Sequence, residues 1–150
     1  MIFREATNAD IAQIQKVRNA VNENRLSDPG LVTDSDVELY ITRRGKGWVC
    51  EISEEIVGFA IADLRDNNIW ALFIDPVFEG SGIGKILHDK MLNWYFNQNK
   101  SSAWMSTLPG TRAEKFYRKA GWAETGVYGK GEIKFEMTAR EWNAIREVVK

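Results

Sequence analysis

The sequence is poor in the residues that cross-link a chain or bind metal. Its 150 residues include one cysteine, Cys50, and one histidine, His88. A single cysteine excludes an internal disulfide and fits a reducing compartment. One histidine and one cysteine far apart in the sequence do not make a zinc site, so no metal is expected. Cys50 is expected to be a buried thiol, and His88 is expected to have a surface or packing role.

Long apolar runs and an excess of one charge are also missing. The 20 Lys and Arg residues nearly balance the 21 Asp and Glu residues, which leaves a formal net charge of -1 and argues against nucleic acid as an obligate partner. No apolar run approaches the ~18 residues that indicate a transmembrane helix, and the N-terminal residues do not read as a signal peptide. We therefore expect a cytoplasmic protein that does not use a membrane. The length, without repeats or linkers, predicts a single domain over residues 1–150.

Hydrophobic periodicity predicts strands alternating with helices. Strands are predicted at Ile2–Glu5, Trp48–Ser53, Ile56–Asp63, Ile69–Ile74, Ala103–Thr107, Trp122–Tyr128 and Glu132–Met137. Helices are predicted after Thr7 with the apolar stripe Ile11, Ile14, Val17 and Val21, after Ser35 in a capping box with Glu38, after the glycines that follow Pro76, between Gly110 and Gly121, and after Thr138 with Trp142, Ile145 and Val149. A polar loop is predicted at Asn22–Pro29. This order predicts a mixed, mostly antiparallel sheet with helices on both faces, in the α/β or α+β class.

A glycine-rich loop joins the apolar strand Ile69–Ile74 to the helix that follows it. Glycine allows a sharp bend that turns bare backbone N–H groups toward a ligand, and the helix N-terminus adds its unpaired N–H groups and positive dipole end. Such a loop can hold phosphate. The residues that would form this phosphate site are Gly80, Ser81, Gly82, Ile83, Gly84 and Lys85.

Four interpretations of this loop compete. The dinucleotide fingerprint G-x-G-x-x-G fails because the third glycine, Gly84, comes one residue early. The ATP-type loop G-x-x-x-x-G-K-[ST] fails because the glycine spacing is one residue short and Ile86 replaces the hydroxyl residue. The acyl-CoA loop Q/R-x-x-G-x-G/A fits at Gly82 and Gly84. A tight turn without a ligand is the fourth interpretation.

A second motif lies in the following helix. Residues Ala113–Trp122 match the pattern A-x-x-F-Y-x-x-x-G-F/W, and with the glycine loop they make the chain resemble the GNAT superfamily of N-acetyltransferases. The stretch Trp104–Ala113 is similar to a bacterial branch of this family that acts on small molecules. The resemblance covers nearly the whole chain in element order. It implies that strands Ile69–Ile74 and Ala103–Thr107 splay apart at their C-terminal ends.

The resemblance also implies a co-substrate, acetyl-CoA, and roles for particular residues. The pantetheine arm would pair with the backbone of Leu72, Phe73 and Ile74 like an added strand, and the pyrophosphate would lie on the N–H groups from Gly80 to Lys85. A backbone N–H near Phe73 or Ile74 would stabilise the oxyanion. Tyr117 would protonate the leaving thiolate, because a phenol with a pKa near 10 keeps its proton at neutral pH. Apart from the motif, Tyr117 reads as a core residue on a helix stripe.

The chain departs from the family pattern in three places. Glu79 replaces the usual Gln or Arg at the start of the loop. Gly110 replaces a common Asn, so that Thr111 or Arg112 would make the corresponding cofactor contact. The strand Ala103–Thr107 lacks the carboxylate found in relatives that acetylate protein N-termini, which lowers the expectation of such a substrate.

The acceptor and the base that deprotonates it are less well marked. Glu23 and Asp28 are candidates from the loop after the first helix, although Glu23 also reads as a solvated helix end and Asp28 as a turn residue. Trp70 is a candidate wall of the acceptor pocket, with Tyr128.

Three functions follow. The first is an N-acetyltransferase that acts on a primary amine, expected to be a small molecule, with a protein or peptide amine as the alternative. The second is a non-catalytic acyl-CoA-binding module, which would not need Tyr117. The third is a nucleotide-binding protein, which the glycine spacing disfavours. A homodimer is implied by the family alone.

Overall fold

Seven strands form one sheet at the centre of the fold. The structure, a computed structural model, describes residues 1–21 and 32–148. The strands are β1 (Ile2–Glu5), β2 (Gly45–Ile52), β3 (Glu55–Asp63), β4 (Asn68–Ile74), β5 (Ala103–Thr107), β6 (Ala123–Tyr128) and β7 (Glu132–Met137). The α-helices in the described part are α1 (Ile11–Ala20), α2 (Asp34–Leu39), α3 (Ile83–Gln98), α4 (Arg112–Lys119) and α5 (Ala139–Val148).

The strand order is β1-β2-β3-β4-β5-β7-β6. Every neighbouring pair is antiparallel except β4 and β5, which are parallel and are joined by the crossover helix α3. The predicted mixed, mostly antiparallel sheet is confirmed. β7 lies between β5 and β6, an arrangement that the order of the strands along the chain does not reveal.

Apolar clusters cover both faces of the sheet. One cluster packs α1 and α2 against residues such as Val49, Phe59 and Ile61. The other packs α3, α4 and α5 against the opposite face. The prediction of helices on both faces is therefore confirmed. Within the described residues, no helix is both long and apolar enough to span a bilayer.

The only histidine is a core residue. His88 is 1% exposed, and its Nε2 accepts a hydrogen bond from the indole N–H of Trp122 at 2.9 Å. Because an indole nitrogen only donates, the proton of the neutral ring is on Nδ1, which lies 2.8 Å from the carboxylate of Asp89. His88 therefore joins α3 to the end of α4, a packing role. The thiol of Cys50 is buried, as expected.

The start of α2 differs from the prediction. Its N-cap is Thr33, which forms a capping box with Asp36, rather than Ser35 with Glu38. The earlier start puts Val32 before the cap and Val37 in the next turn, and both belong to the cluster under α1. This hydrophobic staple fixes the entry of the helix, and a cap at Ser35 would not provide it.

The boundaries of β2 and α1 also differ from those predicted. β2 begins at Gly45 instead of Trp48, because its first residues pair with the end of β3 up to Asp63. α1 ends at Ala20, so Val21 follows the helix in extended conformation. The predicted loop Asn22–Pro29 and the predicted helical residue Val149 lie outside the described residues.

Candidate active site

The sheet opens between its two parallel strands. β4 pairs with β5 at a single position, Asn68 with Trp104, whereas β4 pairs with β3 as far as Ile74. The indole N–H of Trp104 also donates to the carbonyl of Asp66 at 2.9 Å, which ties the two strands at their N-terminal ends. Their C-terminal ends therefore splay apart, as the resemblance implies, and one edge of β4 keeps backbone groups for a ligand.

A cavity of about 440 Å³ occupies this opening. Its lining includes β4 from Asn68 to Phe73, β5 from Trp104 to Thr107, Tyr117 of α4, and Tyr128 and Glu132 of the last two strands. A second recess of about 110 Å³ lies beside it and reaches Gly84 at the start of α3. The two spaces share Leu72, Phe73, Ala113 and Tyr117. They form a track from the glycine loop to the splayed strands.

The glycine loop presents a helix N-terminus to this track. Gly80 and Gly82 have φ of +77° and +86°, a region that favours glycine. Gly82 is the N-cap of α3, and it has no side chain to cap the first turn. The N–H of Ile86 makes the first bond back to Gly82, at 3.3 Å. The earlier N–H groups, including those of Gly84 and Lys85, have no partner within the helix.

Cationic side chains flank the loop in different ways. Arg112 lies beside it, with Nη2 3.5 Å from the point where Gly80 would carry a Cβ and with Nε 3.5 Å from the carboxylate of Glu79. Lys85 instead pairs with Asp89 one turn along α3, at 2.6 Å. Ser81 donates its hydroxyl proton to the carbonyl of Phe78 at 2.5 Å. Arg112 thus places a cation beside the loop backbone, and Lys85 contributes its backbone N–H.

Capping interactions at both ends of α4 fix the helix that carries Tyr117. The hydroxyl of Thr111 caps the helix by accepting a bond from the N–H of Glu114. At the other end, Gly121 has φ of +100° and the N–H of Trp122 bonds to the carbonyl of Tyr117 at 3.1 Å, which is a Schellman motif. The Tyr117 ring makes edge contacts with its neighbours Phe116 and Trp122.

The phenol of Tyr117 has the properties of an acid. The residue is 5% exposed, and burial raises the pKa of Tyr117 above its ordinary value. Among the described residues no side chain or backbone group hydrogen-bonds to its hydroxyl. The residue lines both the cavity and the recess. A protonated hydroxyl is therefore available to a ligand in the track.

Trp70 forms part of the cavity wall and lies at an irregularity of β4. Ala71 pairs with Ile61 and Ile69 pairs with Ala62, so that Trp70 is an extra residue in β4, a β-bulge. Its ring stacks on Tyr40 with centroids 3.9 Å apart and an interplanar angle of 5°. The bulge disturbs the ladder next to the opening.

The opposite wall carries a carboxylate that sequence reasoning did not select. Glu132, at the start of β7, accepts a hydrogen bond from the hydroxyl of Ser106 at 3.2 Å, and both residues line the cavity. In the sequence Glu132 reads as part of the polar face of a strand. The signal that would have found it is the pairing of β7 with β5, which the sequence does not supply.

The structure describes only some of the other residues predicted to contact the acceptor. Glu23 and Asp28 lie outside the described residues. Tyr128 lines the cavity, with its ring 5.0 Å from that of Trp104. Thr107 has a buried hydroxyl with no hydrogen-bond partner in the described part of the chain, and it too lines the cavity. Residues 1–21 and 32–148 contain no group of three or more His, Cys, Asp or Glu that could hold a metal ion.

The split sheet and the glycine loop have the arrangement that the resemblance implies, and the buried Tyr117 lies beside them. Residues 14–122 match the Acetyltransferase (GNAT) family. This match covers more than half of the chain, and the chain therefore belongs to the GNAT acetyltransferase family and is an enzyme of the N-acetyltransferase class.

Solved structures of this class share the fold. A ribosomal-protein-alanine N-acetyltransferase from Brucella melitensis is 18% identical, with a TM-score of 0.75, and the match covers 92% of this chain and 99% of that one. PaiA N-acetyltransferase from Thermoplasma acidophilum in complex with coenzyme A is 13% identical, with a TM-score of 0.75 and coverage of 91% and 98%. An aminoglycoside 6'-N-acetyltransferase complexed with coenzyme A is 15% identical, with a TM-score of 0.76 and coverage of 93% and 97%. No curated protein sequence matches the chain.

Proposed function

We propose that this enzyme transfers the acetyl group of acetyl-CoA directly to a primary amine of a small-molecule acceptor. The observation that carries the proposal is the continuous track from the N-terminus of α3, along the open edge of β4, to the hydroxyl of Tyr117. One end of the track suits a pyrophosphate, and the phenol of Tyr117 at the other end suits a general acid. Acetyl-CoA supplies the activated thioester.

The residues of the track fit acetyl-CoA. The N–H groups of the first turn of α3 and the guanidinium of Arg112 suit a pyrophosphate. Leu72, Phe73 and Ile74 present the edge of β4 that β5 leaves unpaired, which suits the amides of the pantetheine arm. The buried hydroxyl of Thr107 has no partner in the described protein and can bond to a ligand group, because a buried polar atom is stable only when it is paired.

Two side chains account for the protons of the reaction. The amine nitrogen attacks the thioester carbon, so that a C–N bond forms and the C–S bond breaks. Glu132 accepts the proton that the amine loses, and Tyr117 donates its proton to the leaving thiolate. Exchange with solvent then restores both groups. A backbone N–H of Phe73 or Ile74 stabilises the oxyanion in between.

The size of the cavity supports a small acceptor. Its volume of about 440 Å³, which the end of the pantetheine arm and the acceptor would share, lies within the usual range for small-molecule sites. Trp70 and Tyr128 contribute aromatic walls, and Glu132 adds a negative charge that favours an amine. Among the structural relatives, one is named for a ribosomal protein and another for aminoglycosides, so the fold does not select between these acceptor classes.

The experiment is a measurement of CoA release from acetyl-CoA with a panel of small amines and short peptides. Turnover of small amines supports the proposal. Turnover of peptides alone contradicts the small-molecule acceptor, and acetyl-CoA binding without turnover on the full panel contradicts the enzymatic role and supports a binding module.

Glu132→Gln tests the base. We expect its kcat/KM to fall about 10²-fold or more at neutral pH. Glu136→Gln is the matched control, because Glu136 lies on the same strand but does not line the cavity. Equal losses in the two variants would contradict the role of Glu132.

A further inference from the structure

One buried cation has no counter-ion among the residues that the structure describes. Arg18, in the last turn of α1, is 7% exposed. Its guanidinium carbon lies 4.9 Å from the ring centroid of Trp70, 5.0 Å from that of Phe73 and 5.6 Å from that of Phe59. Its Nε and Nη2 have no hydrogen-bond partner within residues 1–21 and 32–148.

The cost of this arrangement is high for an arginine. Burial lowers the pKa of Arg18 to about 10, so the side chain still carries its charge at neutral pH. Buried charges are normally paired, and the three ring contacts replace only part of the lost hydration. A charged donor without an acceptor inside a folded domain calls for a ligand that supplies one.

Arg44 shows how this chain satisfies a comparable guanidinium. Its Nε and Nη2 bond to the two carboxylate oxygens of Asp63 at 3.0 and 2.6 Å, and Nη2 also bonds to Asp66 at 2.7 Å. Arg44 has an aromatic contact as well, with the ring of Tyr40 at 4.5 Å. An aromatic contact therefore does not replace a carboxylate at Arg44. The Nε and Nη2 of Arg18 have no carboxylate partner among the described residues.

The position of Arg18 connects it to the acceptor end of the site. Trp70 and Phe73, which its guanidinium contacts, both line the cavity between β4 and β5. Val21, one turn further along the chain, lines the recess beside Tyr117. The fork of Arg18 thus lies behind the wall of the cavity, on the face of the sheet that α1 covers.

We propose that Arg18 binds a carboxylate of the acceptor, which makes the acceptor an amino acid or a related amino-carboxylic acid. The inference rests on the proposed acetyl transfer. The planar Nε and Nη2 edge matches the two oxygens of a carboxylate. In this proposal the carboxylate enters beside Trp70 and Phe73, the two cavity-lining residues that the guanidinium contacts, while the amine of the same molecule faces the track. One fixed positive charge among aromatic rings suits a single carboxylate better than a dianionic phosphate.

The test compares matched acceptors in the CoA-release assay. Each L-amino acid is measured beside its carboxamide and beside the amine that lacks the carboxyl group. We expect the acids to be the better substrates by about 10- to 100-fold in kcat/KM, the range for a hydrogen-bonded ion pair. Arg18→Met should remove this preference, chiefly by raising KM for the acids while leaving the carboxamides nearly unchanged. Lys16→Met is the control, since Lys16 is an exposed cation on the same helix.

The outcomes separate this inference from the proposed function. Turnover of carboxamides or plain amines at least as fast as of acids overturns the carboxylate site and leaves the acetyltransferase intact. Equal losses for all acceptors in Arg18→Met mean a structural role, which also overturns it. If no amine is turned over, binding decides: N-acetyl amino acids, with CoA present, should raise the Tm of the wild type more than their carboxamides do, and Arg18→Met should abolish that difference. An equal Tm shift for acids and carboxamides refutes the inference.

Discussion

Replacing Tyr117 by Phe removes one oxygen from the site and changes little else. The ring remains packed against Phe116, Trp122 and Phe135. No hydrogen bond within the described protein is lost with the hydroxyl, so no buried group is left unpaired. We therefore expect the free energy of unfolding to change by less than about 1 kcal/mol.

The expected effect on catalysis is much larger. A positioned general acid contributes roughly 10² to 10⁴ in rate, which corresponds to about 3 to 5 kcal/mol in the activation free energy. The loss should appear in kcat, because the thiolate receives its proton in the transition state. KM for acetyl-CoA should change little, since we propose that the loop and the edge of β4 hold the cofactor.

The assay is CoA release at saturating acetyl-CoA over a range of pH. Burial raises the pKa of Tyr117 above its ordinary value near 10, so the phenol keeps its proton as the pH rises. The wild-type kcat should therefore show no decline between about pH 8 and 9.5 that depends on Tyr117.

Tyr95→Phe is the matched control. Tyr95 is a fully buried tyrosine of α3 whose hydroxyl donates to Asn67 Oδ1 at 3.0 Å. Its loss should lower stability by about 1 kcal/mol without changing kcat. If Tyr117→Phe retains kcat within about threefold, or if Tyr95→Phe loses as much, Tyr117 is not the acid and the reasoning from the track fails.

Three further predictions concern the loop and the stability of the fold. Gly84→Ala should keep or raise Tm, because the added Cβ meets only ordinary contacts at 3.6 Å and alanine favours helix. The same change should weaken acetyl-CoA binding about tenfold or more by calorimetry. Unchanged affinity would contradict the binding of the pyrophosphate to this backbone. Gly121→Ala should destabilise the fold by about 1 to 2 kcal/mol in chemical denaturation, because its φ is +100° and its Cβ would lie 2.6 Å from Ile145; an unchanged midpoint would contradict this. Hydrogen bonds from Arg4 lower the pKa of Asp10, so its stabilisation is present above the unfolded pKa near 4 and is lost as the pH falls through the folded value. Asp10→Asn should cost about 1 to 2 kcal/mol at pH 7 and progressively less below pH 4, and a deficit that does not depend on pH would refute the linkage.

The elements of the fold could be predicted from local patterns, and the errors have local causes. Strand and helix types follow from apolar periodicity, which records the face that each element buries. Two capping signals overlap at Thr33 and Ser35, and the choice between them depends on whether Val32 and Val37 meet the cluster under α1. Gly45 can begin β2 because it lacks a Cβ, which would lie 1.7 Å from the carbonyl oxygen of Ala62. That close approach is a property of the paired strands and leaves no hydrophobic pattern.

The site divides in the same way. The glycine loop and Tyr117 could be predicted because both motifs are contiguous, and each positions its groups by its own turn and helix. Glu132 and Arg18 take their positions only through packing: Glu132 lines the cavity because β7 pairs with β5, and Arg18 lies behind the cavity wall because α1 covers the rings of β4. In the proposed function the contiguous motifs bind acetyl-CoA, which the whole family shares. The groups proposed to contact the acceptor come from elements distant in sequence, and each can change without disturbing the proposed cofactor track. We therefore look for the acceptor's partner among the buried charges that the fold leaves unpaired, and within residues 1–21 and 32–148 the guanidinium of Arg18 is such a charge.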